Sequence, residues 1–278
     1  MGEKATGPIR LVALDIDGTV LLPDGSIAPS TVAAVTAARR AGVRIVLASS
    51  RGPVALERIA DALHLRREWF VGYQGALVAR ERGKTLEVLH DTRIESAAAR
   101  EVEDRAVASR LSVGRYVGSR WLVRELTDAI RHEATTTGER PTLSTPEEAD
   151  ADAPPHKLMV VADGEAHPCA LEELAGALPD TVTATLSHPS CLEVTAAGVD
   201  KGSGIRPLAE RLSIPVEAIA AVGDGRNDIG LFGSVGHPVA MGQSAPEVRA
   251  AASWVTSSVT EDGVARALHH LGVLGGRR

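Results

Sequence analysis

Four short stretches of this chain carry residue types that do chemistry together. The first is LVALDIDGTV, where Asp15 and Asp17 close an apolar run and Gly18 permits a turn. Two carboxylates two residues apart point to opposite sides of a strand unless the chain turns there. With the turn, one can serve as nucleophile and the other as general acid/base; without it, the pair is a solvated strand end. The second stretch, VGDGRNDIGLF, places Asp224 at the end of another apolar run, with Asn227 and Asp228 just beyond. Carboxylates at neighbouring strand ends are the oxygen donors that a hard divalent cation takes. An N-capping aspartate in a Gly-rich turn is the plainer alternative. Its glycines do not match the G-x-G-x-x-G of a dinucleotide fold. The third, VLASSRGP, sets Ser49 and Ser50 between an apolar run and a helix start at Pro53, where hydroxyls and free N–H groups can hold an anion. In the fourth, DKGSGI, Lys201 opens a helix and could neutralise a phosphate oxygen.

The surrounding pattern says what positions these residues. LVAL at 11–14, VRIVLA at 43–48 and FVGYQGALV at 70–78 read as extended segments. Between them lie helical patterns, one from Ser30 to a stop at Gly42 and one from Pro53. This βαβαβ rhythm predicts a Rossmann-like parallel sheet with helices on both faces, and ligands in such sheets bind at the carboxyl ends of the strands. The middle differs. It holds a long helix from about Glu95 to Leu111, a hairpin around Gly118 and Ser119, and a strand–helix–strand pattern from HKLMVVAD to TVTATLSH. The stretch TTTGERPTLSTPEEADADAPP, with five acidic residues and four prolines, reads as a loop or poorly ordered connection. From CLEVT onward the first rhythm resumes. The expected organisation is a core domain of residues 1–83 and 189–278 and an inserted α+β cap domain of residues 84–188.

Composition narrows the function classes. The 278 residues carry 30 Lys+Arg against 36 Asp+Glu, a net charge of −6, which gives no basic footprint for nucleic acid. No apolar run approaches the roughly 20 residues of a membrane span, and the N-terminus has no apolar stretch suited to a secretory signal. Cys169 and Cys191 cannot form a disulfide framework. A cytoplasmic protein with a small-molecule partner is expected, as monomer or homodimer, with no nucleic acid and no membrane.

In the order DxDGT, hydroxyl after an apolar run, Lys, GDxxND, the chain resembles the haloacid dehalogenase-like phosphotransferases, and most closely their Cof-type (class IIB) branch. The likeness covers about residues 9–82 and 190–275. It implies that Asp15 is the nucleophile and forms an aspartyl-phosphate, and that Asp17 is the general acid/base. Members that cleave C–P or C–halogen bonds lack the second aspartate, so Asp17 favours phosphate esters. The resemblance further implies Mg²⁺ held by Asp15, Asp224 and the backbone carbonyl of Asp17, with Asp228 behind it or on its water. It places Ser49, Lys201, Asn227 and the N–H of Ile16 on the phosphoryl group, with the N–H of Ser50 beside them. Two departures bear on the substrate: Ser49-Ser50-Arg51 stands where Thr-Gly-Arg is common, and Gln74-Gly75-Ala76 where Asn-Gly-Ala is common.

Selection of the leaving group is expected to fall to the cap. Candidates around it are Arg51, Gln74, Arg115, Arg120, Arg124, His156, Lys157 and His188, with Trp121 a cap-core residue. The expected activity is Mg²⁺-dependent hydrolysis of a small phosphorylated metabolite, a sugar phosphate in the first instance. A phosphomutase and a non-catalytic phosphometabolite sensor are the alternatives.

Overall fold

A computed structural model of the chain describes residues 7–83, 85–151, 153–162, 168–188 and 190–275. The strands are β1 (Leu11–Leu14), β2 (Arg44–Ala48), β3 (Phe70–Gly72), β4 (Leu77–Arg82) and β5 (Thr85–Asp91). Next come β6 (Ser112–Val117), β7 (Arg120–Val123), β8 (Pro141–Leu143), β9 (Lys157–Val161), β10 (Val182–His188) and β11 (Cys191–Ala196). The last are β12 (Ile219–Gly223), β13 (His237–Ala240) and β14 (Trp254–Val255). They form an eight-stranded sheet, β14-β13-β12-β1-β2-β3-β4-β5, and a six-stranded sheet, β10-β11-β9-β6-β7-β8. The described chain divides into two compact units: residues up to Ser50, Leu56–His90 and from Asp200 onward, and Arg51–Ala55 with Asp91–Val199.

The first unit is a mixed α/β layer structure. Strands β14, β13, β12, β1, β2 and β3 run parallel, and β4 turns back antiparallel to β3. β1 and β12 are buried along their whole length, as expected of parallel strands covered on both faces. Helix Pro29–Arg40 begins with proline in its first turn and gives way to Gly42 at φ +86°. One apolar cluster joins Leu11, Ala13, Val46 and Val71 of the sheet to Ile205 and Leu208 of the helix Lys201–Leu212. The stretch 70–78 is not one extended segment. The chain leaves β3 through a tight turn, Tyr73–Gly75, in which Tyr73 and Gln74 adopt left-handed φ values of 51° and 59°. Gly75 is required there, because a Cβ would stand 2.0 Å from the Asp200 carbonyl oxygen.

The second unit packs helices Ser96–Ala108 and Pro168–Ala177 on one face of its sheet, burying Val102, Ala106, Leu158, Val160, Leu171, Leu192 and Val194. The β6–β7 hairpin turns at Gly118, φ +60°. Two expectations need correction here. Residues 191–196 do not return to the first sheet; β11 pairs antiparallel with β9 and with β10, where Cys191 stands opposite His188. The stretch 135–155, expected as a loop, holds the end of helix Asp128–Thr137, strand β8 parallel to β7, and helix Pro146–Ala151. A reciprocal cap starts that last helix: Glu148 N–H donates to Thr145 Oγ1 at 3.2 Å, and Thr145 N–H donates to the Glu148 carboxylate at 2.9 Å. Threonine followed three residues later by glutamate was the signal for it.

Candidate active site

Strands β12, β1 and β2 lie side by side and end together, so Asp224, Asp15 and Ser49 follow three neighbouring strands at the same sheet edge. Asp15 is held there by its backbone N–H, which donates to the Val222 carbonyl at 2.9 Å. The Gly18 turn then folds the chain across Asp224. A Cβ at position 18 would lie 2.3 Å from Asp224 Oδ2, so only glycine allows this approach. Gly223 plays the same part for Asp228, whose Cγ would be 2.4 Å from a Cβ there.

The carboxylates of Asp15, Asp224 and Asp228 each offer an oxygen within 4.8 Å of the others. Among them sits Lys201, 0% exposed, at the first turn of a helix capped by Asp200 with Ser203. Its Nζ donates to Asp15 Oδ1 at 2.5 Å and to Asp228 Oδ1 at 2.7 Å. Asp228 Oδ2 also accepts from the backbone N–H groups of Asp224 and Gly225, both at 3.0 Å, which fixes the turn after β12.

Three carboxylates with one ammonium between two of them give the cluster an excess of negative charge. The electrostatics record this imbalance. Burial and the neighbouring Asp228 push the Asp15 carboxyl well above the ordinary range, and the attraction of Lys201 only partly opposes them. Asp224 is raised for the same two reasons, burial and Asp228. Burial would depress Lys201, yet Asp15 and Asp228 outweigh it and hold the ammonium firmly protonated. A cluster that is short of positive charge and offers only hard oxygen donors fits a divalent cation such as Mg²⁺, which takes carboxylate and carbonyl ligands.

The other expected residues are placed as follows. Ile16 and Ser49 are buried and Ser50 is half-buried, beside the ends of β1 and β2. Asp17 is exposed and stands outside the carboxylate cluster. Asn227 Nδ2 donates to Gln74 Oε1 at 3.3 Å, which joins the turn after β12 to the turn after β3. Arg51 belongs to the second unit and is half-buried.

The cap candidates read differently from expectation. Arg115 is neither a solvated strand residue nor an unengaged cation. It is 5% exposed, forms two bonds to Glu103 at 2.7 and 3.0 Å, and donates to the Ala149 carbonyl at 2.6 Å. Alternation along β6 turns it toward the face where helix Ser96–Ala108 supplies Glu103. Arg124 shares Glu103 at 3.4 Å, while Arg120 is exposed. Lys157 is buried against Glu193 at 3.0 Å and over the Tyr116 ring. Buried His156 accepts from the Gly118 N–H at 3.2 Å, and its Nε2 lies 3.1 Å from Asp91 Oδ1. Trp121 is buried and stacked on Tyr116. The backbone of His188 lies in β10; its side chain is outside the described residues.

Two residues not singled out from the sequence also reach Asp224. Thr19 Oγ1 donates to Asp224 Oδ1 at 3.4 Å, and Gln243 Nε2 lies 3.5 Å from Asp224 Oδ2. Thr19 is the last residue of DxDGT, so the motif itself carried that signal. Gln243 follows the end of β13, the next strand end along the same sheet edge.

Comparison with known proteins identifies the family. The family model for haloacid dehalogenase-like hydrolases matches residues 12–268. A candidate phosphatase of Bacillus subtilis is 27% identical over 266 residues, spanning 94% of this chain and 98% of that protein. An HMP-PP phosphatase of an Enterobacter species is 27% identical over 242 residues, 86% of each. Among solved structures, a phosphatase of the superfamily from Bacteroides thetaiotaomicron superposes with a TM-score of 0.79 at 25% identity, covering 98% of both chains. No helix among the described residues is long and apolar enough to cross a membrane. The chain belongs to the haloacid dehalogenase-like hydrolases, in their Cof-type branch, and is a phosphatase of that family.

Proposed function

We propose that the protein is a Mg²⁺-dependent phosphatase that hydrolyses a small phosphorylated metabolite, a sugar phosphate first among the candidates, through an aspartyl-phosphate. The observation that carries this reading is the charge imbalance around Asp15: three buried or half-buried carboxylates cluster at the carboxyl edge of the sheet with one lysine, which bonds two of them. That arrangement calls for a divalent cation and, with it, an anionic group. Asp15, Asp224 and the Asp17 carbonyl would hold the cation, with Asp228 fixing the turn behind it. Bound there, Mg²⁺ supplies positive charge against the developing charge of the transferring phosphoryl group.

Asp15 attacks phosphorus with a carboxylate oxygen, and the bond to the leaving oxygen breaks. Asp17, exposed beside the nucleophile, gives its proton to that oxygen. It then takes a proton from the water that attacks the aspartyl-phosphate, which releases inorganic phosphate and frees Asp15. Lys201 holds one oxygen of Asp15 and offsets the repulsion between carboxylate and phosphate dianion. Ser49, Ser50, Asn227 and the Ile16 N–H are assigned to the phosphoryl oxygens, and Asn227 is steadied by Gln74. Arg51, Arg120, Arg124 and His188 remain the candidates for the leaving group, as part of a cap that excludes water. Arg115 is placed last among these candidates because Glu103 and Ala149 engage it.

Two similar proteins bear names that fit a small organic phosphate: the HMP-PP phosphatase, and a subclass IIB sugar phosphatase whose fold this chain shares at a TM-score of 0.82. The test is phosphate release from a panel of sugar, polyol, nucleotide and short-acid phosphates, with Mg²⁺ and with EDTA. Metal-dependent release concentrated on one compound, at kcat/KM of about 10⁴ M⁻¹s⁻¹ or more, is the expected result. Release that survives EDTA undiminished, or none from any ester, overturns the proposal.

A further inference from the structure

The side chain of Gln243 ties together three segments. Its Nε2 donates to the Gly18 carbonyl at 2.6 Å and reaches Asp224 Oδ2 at 3.5 Å. Its Oε1 accepts from the Val259 N–H at 3.1 Å. The residues around it are anchored in turn: Met241 N–H donates to the Gly223 carbonyl at 2.9 Å and Gly242 N–H to the Ser257 carbonyl at 3.0 Å. The amide therefore hangs from a braced loop at the end of β13. It grips the turn that follows Asp15 and Asp17, and on the other side it faces the carboxylate of Asp224.

We propose that Gln243 is a positioning residue for the cation site. The proposal rests on the reading that Asp15, Asp224 and the Asp17 carbonyl hold a divalent cation. Those donors come from two separate strand ends, and a Mg²⁺ site demands near-ideal placement of its oxygens. The Gly18 turn lies against Asp224 only because its left-handed glycine, φ +78°, carries no Cβ. One short bond from Gln243 fixes the carbonyl end of this turn. The longer contact, with Thr19 Oγ1 on the opposite oxygen of Asp224, sets the rotation of that carboxylate. Gln243 is itself exposed, so its bonds contribute little to the apolar core. What they constrain is the distance between the two metal-bearing turns.

The test compares wild type, Asp224→Asn, Gln243→Met and Gln243→Glu. Methionine keeps the length and removes all three hydrogen-bond contacts. Glutamate keeps the acceptor for Val259 and removes the donor, while adding negative charge beside the site. Binding of Mn²⁺ is followed by the loss of the free-ion EPR signal, and phosphate release is titrated with Mg²⁺. Removing groups that orient metal ligands typically weakens metal binding about 10–100-fold. Both Gln243 variants are expected to weaken Mn²⁺ by about 10-fold or more. The Mg²⁺ needed for half-maximal release should rise by the same factor, with kcat restored at saturating metal and the metal-free melting temperature unchanged.

A merely structural residue would lower the melting temperature and leave Mn²⁺ affinity alone; that result overturns the proposal. Tighter Mn²⁺ binding by Gln243→Glu also overturns it, because net charge rather than placement would then govern the site. If wild type binds no Mn²⁺, or Asp224→Asn binds it as well as wild type, the metal reading itself fails and this inference falls with it. Loss of binding in Asp224→Asn together with unchanged Gln243 variants removes the positioning role alone.

Discussion

Replacing Lys201 by methionine is the sharpest test of the electrostatics. The substitution preserves length and volume at a fully buried position and deletes the one ammonium between Asp15 and Asp228. Asp228 retains two backbone N–H donors, so the loss falls mainly on Asp15. Removing one partner of a buried ion pair costs about 3–5 kcal/mol. The penalty has a definite pH dependence. In wild type, Lys201 lowers a carboxyl that burial and its neighbours already raise; without it the folded-state pKa of Asp15 climbs further. A carboxyl raised on folding binds extra protons in the native state, so stability falls as pH rises through the window above the ordinary carboxylate value. The variant should therefore lose about 3–5 kcal/mol at pH 8, and less as pH falls toward the ordinary carboxylate range. Urea unfolding in EDTA, followed by circular dichroism and tryptophan fluorescence, measures both. A loss below about 1 kcal/mol at pH 8, or one that grows as pH falls, would refute the charge argument.

The opposite sign is expected at Asp15. Asp15→Asn removes a carboxylate whose ionisation the fold disfavours, so in EDTA at pH 8 the variant should be at least as stable as wild type, while turnover disappears. Retention of about a tenth of wild-type turnover would sink the nucleophile assignment. Arg115→Met should cost about 3 kcal/mol, because it leaves buried Glu103 only the longer contact to Arg124, and should leave KM unchanged; a large rise in KM at native stability would assign Arg115 to the substrate. Buried His156 has its pKa pushed down to about 4 from 6.5, chiefly by burial. The unfolded chain then binds the extra proton, so stability is lost as pH falls from 6.5 to 4, on the order of 3 kcal/mol in all. Urea midpoints across that range should flatten in His156→Gln, and an equally steep acid limb in the variant would exclude His156 as its source.

What the sequence could convey followed the range of the interactions involved. Asp15, Asp224 and Lys201 stand at strand ends or a helix start, and the alternation of apolar runs with helical patterns already places such positions at one sheet edge. Their roles came from motif resemblance, but their meeting place came from topology. The errors arose where a local signal was overridden or overlooked. Residues 191–196 looked like the return of the first rhythm because a buried strand reads alike in either sheet; the hairpin with β10 decided the matter. Charged composition hid the helix Pro146–Ala151, although Thr145 and Glu148 spelled out its cap. Arg115 shows the deeper limit. Nothing along β6 tells that Glu103, a helix residue twelve positions earlier, will bury and neutralise it. Gln243 shows the same limit from the other side. An exposed glutamine 19 residues beyond Asp224 has no signature of its own. Its significance exists only once β13 has been laid beside β12 and the Gly18 turn has folded across. Residues that perform chemistry are constrained in type, and so they can be recognised singly. Residues that hold them in place are constrained by geometry, and any donor of the right reach would serve. The first kind can be read along the chain; the second appears only in the folded arrangement.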